Sequence, residues 1–268
     1  MIKAIFFDID GTLINYSRHM PLSTVKALKA LKAQNTKLFI ASGRPPSMLN
    51  EIINEVPVEF DGFILLNGQY CYIDHHVIRD LSFDDQQIRS VLDFLKEKRI
   101  GTLIVDTTGT YANITNDDTM QEEFLMTLKE LGVTQYNESH LGTYPVRQLM
   151  AHIKSDDQET LEQFFELMPD AKGLRWNHFS MDVVHTISGK DKGIDAICEE
   201  LGIGLEETMA FGDGDNDIDM IKHAGIGVAM GNAIETLKKN ADYITDDVNE
   251  DGLYNALLHF NVLSQNSD

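Results

Sequence analysis

The residues best suited to chemistry open the chain: Asp8 and Asp10 interrupt an apolar run in Phe6-Phe7-Asp8-Ile9-Asp10-Gly11-Thr12-Leu13. Two carboxylates spaced i, i+2 at the mouth of a strand, followed at once by a glycine turn, are held close together on a rigid support. A turn alone explains Asp10 and Gly11 and gives no reason for Asp8. Further oxygen-bearing groups gather in Gly212-Asp213-Gly214-Asp215-Asn216-Asp217, and a hydroxyl stands beside a backbone N–H in Ser42-Gly43-Arg44. A cluster of oxygen ligands without His or Cys favours a hard cation. One that leaves room for a phosphate suits Mg²⁺ better than Ca²⁺. The segment from Asp213 has the look of a calcium loop but not its spacing, since Ile218 and Ala224 stand where that loop needs Gly and Glu.

These residues need elements to position them, and the hydrophobic pattern supplies strands that alternate with helices. Ile2 to Ile9 and Lys37 to Ala41 read as strands buried on both faces, and residues 62–66 as a third that ends at Asn67-Gly68. Between the first two, Val25, Leu28 and Leu31 lie on one helical face behind Ser23 as N-cap, and another helix is expected after Pro45-Pro46. The pattern resumes with a helix from Lys192-Gly193 through Leu201 and a strand from Thr208 to Gly212. After it come a helix, a strand at Gly227 to Met230, a helix at Ala233 to Asn240, a short strand at Tyr243 to Thr245 and a closing helix at Gly252 to Phe260. Such alternation predicts a parallel sheet with helices on its faces, with ligands bound beyond the carboxyl ends of the strands. Asp8/Asp10, Ser42-Gly43, Asn67-Gly68 and the 212–217 segment all fall at such ends.

The intervening stretch has a different rhythm: helices at 84–98, 118–131 and 157–168, with strands at 102–106, 110–114, 148–153, 172–176 and 180–184. Paired strands flanked by helices suggest an α+β sheet with its own core. The fold class is therefore α/β, a Rossmann-like parallel-sheet core of residues 1–81 and 187–268 with an inserted α+β cap domain of residues 82–186. Residues 264–268 read as a frayed tail.

Composition narrows the function. Against 22 Lys+Arg stand 43 Asp+Glu, a formal net charge of −21, which repels phosphate backbones and anionic lipid and argues against nucleic-acid or membrane-surface binding. Cys71 and Cys198 lie far apart outside any CxxC arrangement, so no disulfide framework or thiolate zinc site is expected. The opening residues are too soon acidic for a secretory signal, and no stretch approaches a membrane span. A cytoplasmic protein is the expectation.

Four ordered segments, Asp8-Ile9-Asp10-Gly11-Thr12-Leu13, Ser42-Gly43-Arg44, Lys192-Gly193 and Gly212-Asp213-Gly214-Asp215-Asn216-Asp217, resemble the motifs of the haloacid dehalogenase-like hydrolase superfamily. The large insertion between the second and third resembles the cap of its Cof-type branch. The resemblance spans nearly the whole chain and implies a small phosphorylated metabolite as substrate, with the oligomeric state left open. On chemical grounds Asp8 can take a phosphoryl group as an aspartyl-phosphate, and Asp10 can protonate the departing alkoxide and then deprotonate water. The expected metal site is Asp8, the Asp10 backbone carbonyl and Asp213, holding Mg²⁺. Ser42, Gly43 and Asn216 are expected on the phosphate, and Lys192 is expected to neutralise its charge. Asp217 is placed behind these, orienting Lys192 or a metal-bound water. Arg44 faces either the substrate side or solvent.

Lys190 competes with Lys192 for the third segment; Gly193 and the expected helix start favour Lys192. In the insertion Tyr144, Arg147, Arg175, Trp176 and His178 can select the leaving group, although ordinary packing or exposure is the favoured account of each. Asp215 reads as solvated. A base at Asp10 favours hydrolysis over a long-lived phosphoacceptor switch. A phosphomutase would use the same machinery and return the phosphoryl group to a second hydroxyl.

Overall fold

Four residues, Ala4–Phe7, all buried, make β1, the strand on which the rest of the first sheet is laid. The structure is a computed structural model describing residues 1–49, 56, 58–106, 108–114, 122–175 and 177–264. It divides into two compact units, Met1–Asp80 with Gly189–Asp268, and Leu81–Ser188. In the first, the chain runs through β1, α1 (Leu22–Ala33), β2 (Lys37–Ala41), β3 (Gly62–Leu65), β4 (Tyr70–Ile73) and β5 (His76–Asp80). The second unit contains α2 (Asp85–Glu97), β6 (Thr102–Val105), β7 (Thr110–Ala112), α3 (Glu122–Leu131), β8 (Thr134–Gln135), β9 (Gln148–Ala151), α4 (Gln158–Leu167), β10 (Ala171–Arg175) and β11 (Met181–His185). The first unit then resumes with α5 (Lys190–Leu201), β12 (Thr208–Gly212), α6 (Ile218–His223), β13 (Ile226–Ala229), α7 (Glu235–Lys238), β14 (Tyr243–Ile244) and α8 (Gly252–His259).

The first sheet has the order β14-β13-β12-β1-β2-β3-β4-β5. From β14 to β3 every pairing is parallel. Strands β4 and β5 add antiparallel at one edge. Successive strands step outward from β1 on one side through β2 and β3, while the later chain returns on its other side through β12. The carboxyl ends of β1 and β12 thus flank a topological switch point, where an open α/β sheet leaves a crevice. Its interior is aromatic, with Phe6 stacked on Phe39 at 5.0 Å and Phe7 on Phe211 at 5.5 Å between ring centroids.

The second unit carries the sheet β10-β11-β9-β6-β7-β8, antiparallel except between β7 and β8. Helix α2 buries Ile88, Val91, Leu92 and Leu95, and its N-cap Asp84 accepts from the N–H groups of Gln86 and Gln87. These side chains pack with Ile104, Leu149, Ala151, Phe164 and Val183 in a core confined to this unit.

Several elements depart from the sequence pattern. The hairpin β4/β5 was not expected: it turns at Asp74 and His75, both at positive φ, without the Asn-Gly or Asp-Gly pair that marks such a turn in a sequence. Helix α1 begins behind Pro21 with no side-chain cap, so Ser23 lies inside the helix and does not cap it. The helix expected at 233–240 shortens to Glu235–Lys238. After Pro45, Pro46–Met48 form one 3₁₀ turn. The helix expected to follow, the first residues of the 118–131 helix, Trp176 and most of the 264–268 tail lie outside the described residues. Both cysteines are free and buried. No helix among the described residues is long and apolar enough to cross a membrane.

Candidate active site

The parallel register places the chemistry side by side. Phe7 lies opposite Phe211 on one side and Ile40 on the other, and the N–H of Asp8 donates to the Phe211 carbonyl at 3.0 Å. The residues that follow β1, β2 and β12 are Asp8, Ser42 and Asp213, and all three are buried. Carboxylate oxygens of Asp8, Asp213 and Asp217 lie within 4.8 Å of one another.

Asp217 reaches this cluster from the 3₁₀ turn Asp215–Asp217. Its Oδ2 accepts the N–H groups of Asp213 and Gly214, each at 3.0 Å. Gly212 leaves the space, since a Cβ there would stand 2.6 Å from the Asp217 side chain. Asp215 and Asn216 are exposed, and the Asn216 amide donates to Asn67 Oδ1 at 3.2 Å.

The lysine of the site is Lys190, and the expectation for Lys192 is corrected. Lys190 Nζ is 2.7 Å from Asp8 Oδ1 and also donates to Asp217 Oδ1; the residue is 1% exposed. Lys192 has a side chain 49% exposed and, among the described residues, pairs with its neighbours Asp191 and Asp195. The helix period decides this. Lys190, Gly193, Ile194 and Ile197 form the buried face of α5, and a residue two positions after Lys190 points away from it. Gly193 serves that packing, because a Cβ there would sit 2.4 Å from Ile64. The helix start is fixed by Gly68, whose φ is +85° and whose missing Cβ would lie 1.9 Å from the Gly189 carbonyl oxygen.

Asp10 does not join the three carboxylates through its side chain. Arg44 holds it in a fork, Nε to Oδ2 at 3.0 Å and Nη2 to Oδ1 at 2.9 Å. Arg44 therefore belongs to the Asp10 side of the site, and its N–H also donates to Ser42 Oγ at 3.2 Å. The expected role of Asp10 as a metal ligand runs through its carbonyl, which this pairing leaves untouched. Asp217, expected to orient Lys192 or a metal-bound water, instead accepts from Lys190. Tyr16 is the residue that motif reasoning missed: its hydroxyl donates to Asp213 Oδ2 at 2.8 Å. The only sequence signal for it is an aromatic residue in the polar loop after β1.

Burial and the charge of Asp217 push the Asp8 carboxyl up to about 8, against the pull of Lys190. Burial likewise pushes Asp213 up to about 6, with the Tyr16 hydrogen bond working downward. Burial opposes the charge on Lys190, but Asp217 and Asp8 outweigh it and hold the ammonium above the ordinary lysine range. Three buried carboxylates against one buried ammonium leave an excess of negative charge when all are ionised. Burial is the larger cause of the raised carboxyl pKa values, and the charge of Asp217 adds to it. An all-oxygen donor set of this kind fits a hard divalent cation.

Residues 5–257 match the family model of haloacid dehalogenase-like hydrolases. YkrA of Bacillus subtilis (strain 168) is 33% identical over 261 residues, covering 97% of this chain and 98% of that protein. The pyridoxal phosphate phosphatase YbhA of Escherichia coli (strain K12) is 27% identical over 262 residues, 94% of this chain and 96% of its own. Among solved structures, that of the subclass IIB sugar phosphatase BT4131 is 34% identical with a TM-score of 0.81, covering 97% of this chain and all of the other.

Proposed function

The chain belongs to the haloacid dehalogenase-like hydrolases, and from that premise we propose that it is a Mg²⁺-dependent phosphatase of small phosphate monoesters that carries the phosphoryl group on Asp8. The observation that carries the reading is the buried bridge of Lys190 between Asp8 and Asp217 beside Asp213, at the switch point of the sheet. A carboxylate that is to be phosphorylated needs a fixed cation next to it, since negative charge accumulates there during transfer.

Asp8 attacks phosphorus and the ester P–O bond breaks, while Asp10 gives its proton to the departing alkoxide. Asp10 then takes a proton from water as that oxygen attacks phosphorus, the Asp8–phosphorus bond breaks and inorganic phosphate leaves. Lys190 holds charge at Asp8 through both steps. Ser42, Gly43 and Asn216 bind phosphoryl oxygens, and Arg44 orients the Asp10 carboxyl. Asp8, the Asp10 carbonyl and Asp213 would hold the metal. Asp217, whose oxygens already accept from two backbone N–H groups and from Lys190, fixes the lysine. Mg²⁺ held there would supply positive charge that offsets the carboxylates and keeps Asp8 ionised, together with Lewis acidity toward the phosphoryl group.

Two relatives support the substrate class: YbhA is a pyridoxal phosphate phosphatase and BT4131 a sugar phosphatase. A net charge of −21 fits a small substrate rather than a nucleic acid. The test is phosphate release from p-nitrophenyl phosphate and a panel of sugar and cofactor phosphates, with Mg²⁺ or EDTA, by wild type and Asp8→Asn. Release is expected only with metal and with Asp8 intact. Turnover that survives Asp8→Asn contradicts the mechanism.

A further inference from the structure

Lys190 donates to Asp8 and Asp217, while Asp213 is held by two hydroxyls from the loop after β1. Thr12 Oγ1 lies 3.4 Å from its Oδ1, and Tyr16 Oη lies 2.8 Å from its Oδ2. The second is the shorter and better bond. Tyr16 is 72% exposed, so its ring adds little to any core and the residue meets the cluster through its hydroxyl. The meeting point is kept open by Gly11, where a Cβ would stand 2.2 Å from Asp213 Oδ2 and 3.0 Å from Tyr16 Oη. The loop is pinned ahead of Tyr16 and closed around it. Asn232 donates to the Gly11 carbonyl at 2.8 Å, and Asn15 donates to Asn249 Oδ1 at 2.8 Å while accepting the N–H groups of Ser17 and His19. A flexible aromatic side chain on an exposed loop would need none of this.

We propose that Tyr16 is a positioning residue of the cation site: its phenol fixes the Asp213 carboxylate in the orientation that receives the metal. A carboxylate has about four acceptor positions, so the hydrogen bonds from Tyr16 and Thr12 still leave positions for a cation, while the Tyr16 bond removes the side chain's rotational freedom. Partners of this kind typically change metal affinity by about 10–100-fold. The inference rests on the cation reading above, and its test separates the two.

Mg²⁺ binding is measured by titration calorimetry without substrate, and Mn²⁺ binding by electron paramagnetic resonance, on the full chain as wild type, Tyr16→Phe and Asp213→Asn. Urea unfolding of the metal-free proteins is followed in parallel. Tyr16→Phe is expected to weaken both ions about 10-fold with an unchanged unfolding midpoint, and Asp213→Asn to abolish binding. Wild-type affinity in Tyr16→Phe, with Asp213→Asn inactive in binding, overturns the role of Tyr16 and leaves the cation site standing. Affinity lost together with a comparable fall in the midpoint also overturns it, since the bond would then be structural. No uptake by wild type overturns the cation site and the role of Tyr16 with it.

Discussion

Replacing Lys190 by Met removes the cation shared by Asp8 and Asp217, and replacing Lys192 by Met separates the two readings of the third motif. At 2.7 Å from Asp8, one ion pair corresponds to about 6 kcal/mol of gross attraction at an effective dielectric near 20. The cost of burying the charges cancels much of that, and breaking a buried pair typically costs about 3–5 kcal/mol net because a charge is left uncompensated. Asp8 already takes up a proton near pH 8, so it can neutralise itself when the lysine is gone, which places the loss toward the lower end. The rate should fall further, by about 10²–10³, the usual cost of deleting a buried group that stabilises developing charge. Lys192, half exposed and 3.2–3.4 Å from Asp191 and Asp195, is worth at most about 1 kcal/mol and should leave turnover unchanged. Urea unfolding in EDTA and steady-state phosphate release with saturating Mg²⁺ measure the two effects. A Lys192→Met variant that loses as much activity as Lys190→Met would refute the reasoning.

In metal-free protein the folded pKa values of Asp8 and Asp213, about 8 and about 6, exceed the ordinary 3.8. The folded state therefore binds more protons, and the stability this contributes is complete below about pH 4 and lost as pH rises through both folded values. Unfolding midpoints in EDTA should fall more steeply with pH for wild type than for Asp213→Asn; parallel curves count against the cluster. Gly68→Ala forces a Cβ 1.9 Å from the Gly189 carbonyl at φ +85°. It should cost at least about 1–3 kcal/mol and depress turnover by moving Lys190. Gly202→Ala, at φ +63° with open space around it, should cost about 1–2 kcal/mol and spare the rate. Asp10→Asn should slow turnover about 10²–10⁴-fold and let phosphorylated Asp8 accumulate, visible by mass spectrometry of acid-quenched protein; full turnover with no such species contradicts the role of Asp10.

The parallel part of the fold was legible because its strands are short, apolar on both faces and end in chemistry-bearing loops; β2 and β12 run over the residues their pattern marks. The hairpin β4/β5 was not, since its turn carries Asp74-His75, every residue of β4 is apolar or aromatic despite its alternating burial, and β5 is largely exposed at the sheet edge. Asp8, Asp213 and Asp217 were legible as oxygen donors at strand ends. Lys190 was misjudged because Gly193 was taken to mark the helix start just after the functional lysine, when it is the small residue that lets α5 lie on Ile64. Extending the apolar face backward from Ile197 and Ile194 in helical steps arrives at residue 190, so the information was present in the period. The Arg44 fork on Asp10 and the Tyr16 contact with Asp213 join residues 34 and 197 positions apart, and no local pattern encodes such pairings.

The arrangement is costly in a way that only function explains. Lys190 is enclosed between two carboxylates with a third beside it, and paired apolar residues of similar volume would stabilise the same space at least as well. Leu66, Asn67 and Gly68 all adopt positive φ to bring the turn after β3 against Gly189, although left-handed backbone is unfavourable for the first two. That turn sets where α5 begins and hence where the ammonium stands. The sheet imposes the proximity of Asp8 and Asp213 through register, and the turn imposes Lys190 on them, so repulsion within the cluster cannot relax by moving a strand. What can relax it is charge brought from outside, a proton or a cation. A site whose own residues leave negative charge uncompensated is thereby predisposed to take up a divalent ion, and the −21 surface around it raises the local concentration of such ions. An anionic substrate would meet the opposite field, which a cation held at the cluster would offset where the phosphate must approach.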